Sequence, residues 1–337
     1  MEYSGVWTLA EQRNGTIHSV SHELLNRGKE LAEKLGVPLS AMLLGYQIAE
    51  EEMQELVYHG ADRVYSVSHP MLASFLAEPY QHVITYMITT FAPEIIIAAA
   101  TTTGRTVMPY VAANGMFAGL TADCTALDIE DGTGNLLQTR PAIGGNILAT
   151  IKTPTARPQM ATVRPKSMKP SERDTSRTGT IIPVKLPESM ELTSRVTFEQ
   201  FVPDRSQEVP LEDADVVVAG GRGLKKGENF SLIRELAELL DAGVGASRDT
   251  IDRGWIEYPH QIGLSGKTIS PKCYLACGIS GAIQHLAGMQ TSETIIAINT
   301  DPDAQIFRVA DFGIVGDLFD VLPVLNKKLR AMKAGEE

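Results

Sequence analysis

Two runs of apolar residues constrain the fold of this chain more than any other feature. Residues 93–100 read PEIIIAAA and residues 214–223 read ADVVVAGGRG. A strand that is apolar at consecutive positions, without alternation, is typical of a parallel sheet covered on both faces. Helix-like segments separate these strands from others along the chain. The sequence therefore predicts an α/β fold with a doubly wound parallel sheet.

The alternation starts close to residue 1 and changes character after residue 126. Residues 6–10 predict a strand, and a helix is expected from about Ser21, with leucines on one stripe. From Leu127 the chain consists of short strands separated by Gly and Pro, which predicts a β-rich extension rather than another βαβ unit. Residues 165–180 are polar and basic, as in an exposed loop.

A second strand–helix rhythm predicts a second domain. Residues 201–214, FVPDRSQEVPLEDA, are the expected crossing between the two. We therefore predict an N-terminal α/β domain over residues 1–205, which is nucleotide-binding-like and carries the β-rich extension. A C-terminal α/β domain with a parallel sheet is predicted over 206–328, and a tail over 329–337.

Charge and composition exclude several classes of function. The net charge of −11 argues against non-specific binding to nucleic acid or to an anionic membrane surface. No apolar run has transmembrane length, and residues 1–12 do not resemble a leader, so we expect a cytoplasmic protein without a membrane span. Three cysteines cannot form a disulfide framework. Two of them lie four apart in a predicted strand, too far from each other for a metal site.

The loops after the C-terminal strands are the candidate binding site. They read GGRG at 220–223, GISGAIQH at 278–285 and INTDPDA at 298–304. In open parallel sheets, ligands bind beyond the carboxyl ends of the strands, and glycines let the backbone approach an anion. We expect Gly278 and Gly281 to make room for a pyrophosphate, and Ser280 to cap the next helix or contact the phosphate.

Simple tight packing is the alternative explanation of a Gly-x-x-Gly turn between a strand and a helix. In the N-terminal part, TTTGRT at 101–106 is equally phosphate-like. Neither a GxGxxG fingerprint after the first strand nor a Walker A motif is present. The motifs alone indicate a nucleotide-binding α/β protein of unknown chemistry.

Longer stretches of the sequence carry a family resemblance. Residues 271–325, which begin PKCYLACGISGAIQHLAGM, closely resemble the α subunit of electron-transfer flavoproteins. ATTTGRTVMPYVAA, RPAIGGNILATI, AGGRGL and VGASRDTID extend the resemblance over essentially the whole chain. It implies one FAD, held mainly by the C-terminal domain in a cleft against a β subunit. It also implies that one and two electrons pass between a flavin dehydrogenase and a downstream acceptor.

The resemblance also implies roles for individual residues. Arg222 and Ser247 match contacts near the pyrophosphate, and Arg248 matches an arginine over the isoalloxazine that favours a reduced, anionic flavin. Ser265 matches the hydrogen bond to flavin N5, and His285 matches a position near the C2 carbonyl. The full set of cofactor-binding residues implied is Arg222, Ser247, Arg248, Ile262, Gly263, Leu264, Ser265, Ser280, Gly281, Ala282, Ile283, Gln284, His285, Asn299 and Asp317, the last two on the adenosine side.

The loop beside N5 departs from one branch of the family. Mitochondrial-type members read Gly-Gln-Thr-Gly there, whereas this chain reads Gly-Leu-Ser-Gly at 263–266. This version is more similar to the electron-bifurcating flavoproteins of anaerobic bacteria, which carry a second FAD in the β subunit and oxidise NADH.

Three functions follow as hypotheses. The first is an electron carrier subunit, without a substrate pocket of its own, that serves an acyl-CoA dehydrogenase or another flavin dehydrogenase. The second is a subunit of a bifurcating complex that oxidises NADH and reduces an enoyl-CoA and ferredoxin. The third is a nucleotide-binding regulator without a redox role.

Overall fold

The computed structural model describes residues 3–113, 118–142, 147–200, 211 and 214–334. The chain divides into two compact units, Met1–Gln200 and Phe201–Glu337, here called the N-terminal and C-terminal units. The crossing predicted at 201–214 lies almost wholly outside the described residues.

The N-terminal unit alternates strands and helices before it becomes mainly β. Its helices are α1 (Val20–Leu35), α2 (Glu50–Tyr58), α3 (Ala77–Phe91) and α4 (Thr102–Val111). Its strands are β1 (Val6–Ala10), β2 (Gln12–Arg13), β3 (Thr16–Ile17), β4 (Leu39–Gly45), β5 (Arg63–Ser68), β6 (Ile95–Ala99), β7 (Gly119–Cys124), β8 (Ala126–Ile129), β9 (Leu136–Pro141), β10 (Leu148–Ile151), β11 (Gln159–Val163) and β12 (Thr180–Pro183).

A seven-stranded sheet of order β12-β5-β4-β1-β6-β11-β7 forms the centre of this unit, with every neighbouring pair parallel. Successive residues of a strand point to opposite faces, so Val6 and Trp7 enter different cores. Leucines of α1 and α2 share the core of Val6, while apolar residues of α3 and α4 share that of Trp7. The predicted doubly wound α/β architecture is confirmed.

The β-rich extension is partly as predicted. Strands β8, β9 and β10 form a separate antiparallel sheet of three strands. Strand β11 differs, because it lies between β6 and β7 in the main parallel sheet. All five of its residues are buried, as an interior position requires. Residues 165–179 are irregular, as expected of a loop.

The C-terminal unit is a smaller α/β layer. Its strands are β13 (Val216–Gly220), β14 (Gly243–Ala246), β15 (Cys273–Cys277), β16 (Thr294–Asn299) and β17 (Phe312–Val315). Its helices are α5 (Phe230–Leu239), α6 (Arg248–Asp252), α7 (Ile283–Leu286) and α8 (Leu318–Ala334). All neighbouring strands are parallel, in the order β14-β13-β15-β16-β17.

The two faces of this sheet are covered in different ways. Helices α5 and α8 pack on one face, with residues such as Ile233 and Leu322 in its core. Irregular segments supply Ile262, Met289 and Ile306 to the core of the other face. These segments also approach the carboxyl ends of the strands, where the candidate site lies. Among the helices in the described ranges, none is long and apolar enough to cross a membrane.

Candidate functional site

A cleft of about 860 Å³ lies in the C-terminal unit. Loops that follow β13, β14, β15 and β16 contribute to its walls, so it lies at the carboxyl ends of four parallel strands. This is the position at which open α/β sheets bind ligands, and the volume is within the usual range for a small-molecule site.

Glycines hold the loops after β13 and β15 against each other. The backbone N–H of Gly221 donates to Cys277 O, and that of Gly223 donates to Gly278 O. A Cβ on Gly221 would lie 2.4 Å from Gly278 O, and one on Gly223 would lie 2.7 Å from Gly278 Cα. These glycines are therefore required for contact between two protein loops.

Gly281 has the same kind of role. Its φ is +81°, and a Cβ there would lie 2.2 Å from the backbone nitrogen of Ile306. Ile306 N also donates to Ser280 O. The interpretation that Gly278 and Gly281 open space for a pyrophosphate therefore changes in one respect. The close approach that Gly281 allows is to the backbone of Ile306, and Gly281 does not line the cleft.

The segment that starts at Ser280 exposes backbone donors. Helix α7 has only four residues, and its N-cap is Ala282 rather than the predicted Ser280. The backbone N–H groups of residues 280–284 donate to none of the described residues. Ser280 is itself exposed and lines the cleft. Of these five N–H groups, those of Ser280, Ala282 and Gln284 belong to residues that line the cleft, and they are available to an anionic ligand.

A closed loop over residues 261–267 forms another part of the wall. Lys267 N donates to Gln261 O, and Gly263 N donates to Lys267 O. The tip is fixed to the α7 segment, because Leu264 N donates to Gln284 O at 2.7 Å. Gly263, with φ +144°, lies so close that a Cβ would be 2.8 Å from Gln284 O. The two segments therefore form one continuous backbone wall.

His285 is buried beneath this wall and both of its ring nitrogens have protein partners. Nδ1 lies 3.1 Å from Ile262 O, and Nε2 lies 2.8 Å from the hydroxyl of Tyr274. Because a carbonyl only accepts, Nδ1 carries the hydrogen of a neutral ring and Nε2 accepts from Tyr274. Desolvation by burial lowers the pKa of His285 to about 4.

We expect His285 to stay neutral well below pH 6.5. Its folded pKa lies below its ordinary value, so the neutral ring contributes stability that is complete above about pH 6.5. That contribution is lost as the pH falls towards 4. The test is an NMR titration of the histidine ring signals, assigned with His285→Gln. A midpoint near 6.5 for His285 would contradict the hydrogen-bonded, buried arrangement.

The charged residues of the cleft are of both signs. Arg222 is exposed, and so is Arg248, whose Nε lies 3.3 Å from Asp252 Oδ2. The Arg248 side chain stays 69% exposed in this pair, so the pair adds little stability and does not bury the charge. Ser247 precedes α6, but its side chain makes no capping hydrogen bond and lines the cleft instead.

The two residues predicted on the adenosine side differ in position. Asn299 lines the cleft, but its Nδ2 donates to Ile279 O and its Oδ1 accepts from Asp301 N. Asp317 does not line the cleft. Its Oδ1 accepts from Phe319 N at the start of α8, and this hydrogen bond, together with Lys225, lowers its pKa.

In the N-terminal unit, the phosphate-like TTTGRT is explained by local structure. The Thr101 hydroxyl caps α4 by accepting from Gly104 N, and it donates to Glu11 Oε1. Burial raises the pKa of Glu11 to about 7. A Cβ on Gly104 would lie 1.9 Å from Ala99 O, so this glycine is required for packing between α4 and β6.

Comparison with known proteins matches both units. The model of the electron transfer flavoprotein domain matches residues 6–189, and that of the electron transfer flavoprotein FAD-binding domain matches residues 210–290. An electron transfer flavoprotein subunit alpha of Thermoanaerobacterium thermosaccharolyticum is 48% identical over 332 residues, which cover 98% of this chain and 99% of the relative. The chain belongs to the electron transfer flavoprotein α-subunit family.

Other relatives have two kinds of name. The electron transfer flavoprotein subunit alpha of Megasphaera elsdenii is 45% identical over 98% of this chain and 98% of its own length. A protein called FixB of Clostridium saccharobutylicum is 45% identical over 99% of both chains. The resemblance recognised in the sequence is therefore confirmed at the level of the family.

The cofactor of this electron transfer flavoprotein domain is FAD. The cleft fits it in volume and in chemistry, because the N–H groups of Ser280, Ala282 and Gln284 and two arginines offer binding to a pyrophosphate. The loops after β13 and β15, which would contact it, are packed too tightly for a side chain at Gly221 or Gly223.

The structure gathers most of the predicted site residues in this cleft. Those that line it are Arg222, Ser247, Arg248, Ile262, Gly263, Leu264, Ser265, Ser280, Ala282, Gln284, His285 and Asn299. Those that do not are Gly281, Ile283 and Asp317. Gly278, expected near the pyrophosphate, lines the cleft as well. Lining residues that the sequence did not single out are Gly223, Asp249, Asp252, Gln261, Ile279, Asp301, Asp303, Ala304 and Gln305. Several of these belong to the loops that follow the strands. Their place in those loops was the sequence feature that could have indicated them as lining residues.

Proposed function

We propose that this chain is the α subunit of a heterodimeric electron transfer flavoprotein. It holds FAD in the cleft of its C-terminal unit and passes electrons between a flavin dehydrogenase, such as an acyl-CoA dehydrogenase, and a second redox partner. The observation that supports this most is the convergence of four strand-end loops, which carry family-matched residues, on one cleft.

Different residues of the cleft bind different parts of FAD. The N–H groups of Ser280, Ala282 and Gln284 and the guanidinium of Arg222 neutralise and hold the pyrophosphate. Arg248 and Ser265 act at the flavin end, where a fixed cation and a hydroxyl donor stabilise added negative charge. FAD, when bound, supplies one- and two-electron redox chemistry. His285 keeps its neighbours in place through its bonds to Tyr274 and Ile262.

The surface beside the cleft supports a protein partner. Leu264 is 74% exposed at the tip of the 261–267 loop, and Ile283 is 61% exposed at the start of α7. The hydrogen bond from Leu264 N to Gln284 O joins the two segments, and exposed apolar side chains on adjoining segments are typical of a surface that another protein covers. We propose that the β subunit covers them. The cytoplasmic location stays a prediction from the sequence.

The test is co-expression of this chain with its β subunit, followed by gel filtration. A flavin absorbance that elutes with the heterodimer supports the proposal, whereas a complex without flavin, from cells supplied with riboflavin, contradicts it. That result would favour a regulator without a redox role.

A second candidate function is a subunit of a bifurcating complex. The observation that favours it is Leu264, which replaces the amide found in the other branch of the family at an exposed position beside the cleft. Nucleotide analysis of the heterodimer separates the two. One FAD with one AMP indicates the carrier, while two FAD, with NADH as reductant and an enoyl-CoA and ferredoxin as acceptors, indicate bifurcation.

A further inference from the structure

Gln261 is a buried polar residue of the cleft whose backbone is fixed at both ends. It follows a short 3-10 turn, Tyr258–His260, and its N–H donates to Tyr258 O at 2.8 Å. Its carbonyl accepts from Lys267 N at 2.7 Å, which closes the 261–267 loop. The residue is only 4% exposed. Its side-chain amide therefore has little freedom to turn away from the loop.

The amide of Gln261 reaches the hydroxyl of Ser265 across the loop. Gln261 Nε2 donates to Ser265 Oγ at 3.0 Å. Ser265 is fixed a second time, because its carbonyl accepts from the Tyr258 hydroxyl at 2.8 Å. Ser265 itself is exposed and lines the cleft. One side of its hydroxyl thus faces a buried donor, and the other side is open.

The direction of this hydrogen bond determines what Ser265 can do. A serine hydroxyl has one hydrogen and two lone pairs, so accepting from Gln261 leaves its hydrogen free. No described residue accepts that hydrogen. An N–H directed at the oxygen also disfavours rotation of the hydroxyl hydrogen towards Gln261. The hydrogen therefore points away from Gln261, to the open side.

We propose that Gln261 is a positioning residue that keeps Ser265 a hydrogen-bond donor towards bound FAD. This rests on the proposed function, since it requires FAD in the cleft. A donor stabilises an acceptor more as that acceptor gains negative charge, so this arrangement favours reduction of the flavin. The hydrogen bond from Gln261 polarises the hydroxyl and strengthens its donation.

The test reverses the direction of the Gln261–Ser265 hydrogen bond. In Gln261→Glu, titrated at a pH high enough to ionise the buried carboxyl, a carboxylate of nearly the same shape can only accept, so the hydroxyl of Ser265 turns towards it and is lost to the cleft. The added charge also lowers the flavin reduction potential by itself. The same substitution in a Ser265→Ala background measures that charge effect alone, and the difference between backgrounds isolates the hydroxyl.

The readout is spectroelectrochemical titration of the FAD-loaded heterodimer. Gln261→Glu should lower the equilibrium constant for flavin reduction in both backgrounds. We expect the decrease with Ser265 present to be about fivefold larger than the decrease in the Ser265→Ala background. Gln261→Met, which removes the donor without adding charge, should lower the equilibrium constant about twofold with Ser265 and not at all with alanine.

Two outcomes would overturn the proposal. One is an equal effect of each Gln261 substitution in both backgrounds, because Gln261 would then not act through Ser265. The other is loss of FAD from Gln261→Met while Ser265→Ala retains it, which would make Gln261 a structural support of the loop. Either result leaves the proposed function intact, whereas a wild-type heterodimer without FAD would refute the function itself.

Discussion

Replacement of Gly281 with alanine should abolish FAD binding to the complex of this chain with its β subunit. Gly281 has a φ of +81°, and a Cβ there would lie 2.2 Å from Ile306 N and 2.6 Å from Ile306 Cα. Both are backbone atoms, so they cannot turn away as the end of a flexible side chain can. The segment of residues 280–285 must move instead. That movement displaces the N–H groups of Ser280, Ala282 and Gln284, which we assign to the pyrophosphate.

Gly254 provides a matched control in the same unit. Its φ is +69°, and a Cβ there would meet nothing within 4 Å. Gly254→Ala therefore imposes the left-handed backbone strain alone, which costs about 1–2 kcal/mol. We expect this variant to retain FAD. Flavin absorbance after gel filtration and far-ultraviolet circular dichroism measure binding and folding together. Full retention of FAD by a folded Gly281→Ala complex would contradict the assignment of the phosphate site.

The buried strands could be predicted because burial on both faces of a sheet produces a run of consecutive apolar residues in the sequence. Residues 95–99 and 216–220 are runs of small or β-branched apolar residues, and both are interior strands of their sheets in the structure. The rule that ligands bind at the carboxyl ends of parallel strands then placed the site in the loops after them. Local sequence was sufficient for this much.

Contacts between distant segments could not be predicted in the same way. The sequence shows that Gly281 is a glycine, but not that Ile306 lies against it. Strand β11 is five residues long and follows a run of antiparallel strands, so nothing nearby indicates its place between β6 and β7. Gln261 and Ser265 are close in sequence, but the loop that brings them together is fixed by a hydrogen bond from Leu264 N to Gln284 O in a distant segment. Each of these depends on tertiary contacts that periodicity does not encode.

Removal of the guanidinium in Arg248→Ala should lower the reduction potential of bound FAD. Arg248 lines the cleft and keeps its charge at any working pH. After allowance for solvent screening, we take the interaction of Arg248 with the reduced, anionic flavin as about 1.4 kcal/mol. This corresponds to a tenfold change in the equilibrium constant for flavin reduction, or about 59 mV for one electron. Arg248→Lys should recover only part of this shift, because a compact ammonium does not stack on a ring as a planar guanidinium does.

Arg253 is the matched control for this experiment, because it caps the C-terminus of α6, the short helix that Arg248 begins, without lining the cleft. It pairs with Asp249 at 2.7 Å, as Arg248 pairs with Asp252 at 3.3 Å, and both pairs are largely exposed. Loss of an exposed pair is therefore common to both variants, while loss of charge at the cleft is confined to Arg248→Ala. We expect Arg253→Ala to leave the potential unchanged in spectroelectrochemical titration. Equal potentials for the two variants, both with FAD bound, would show that Arg248 acts only through its surface ion pair.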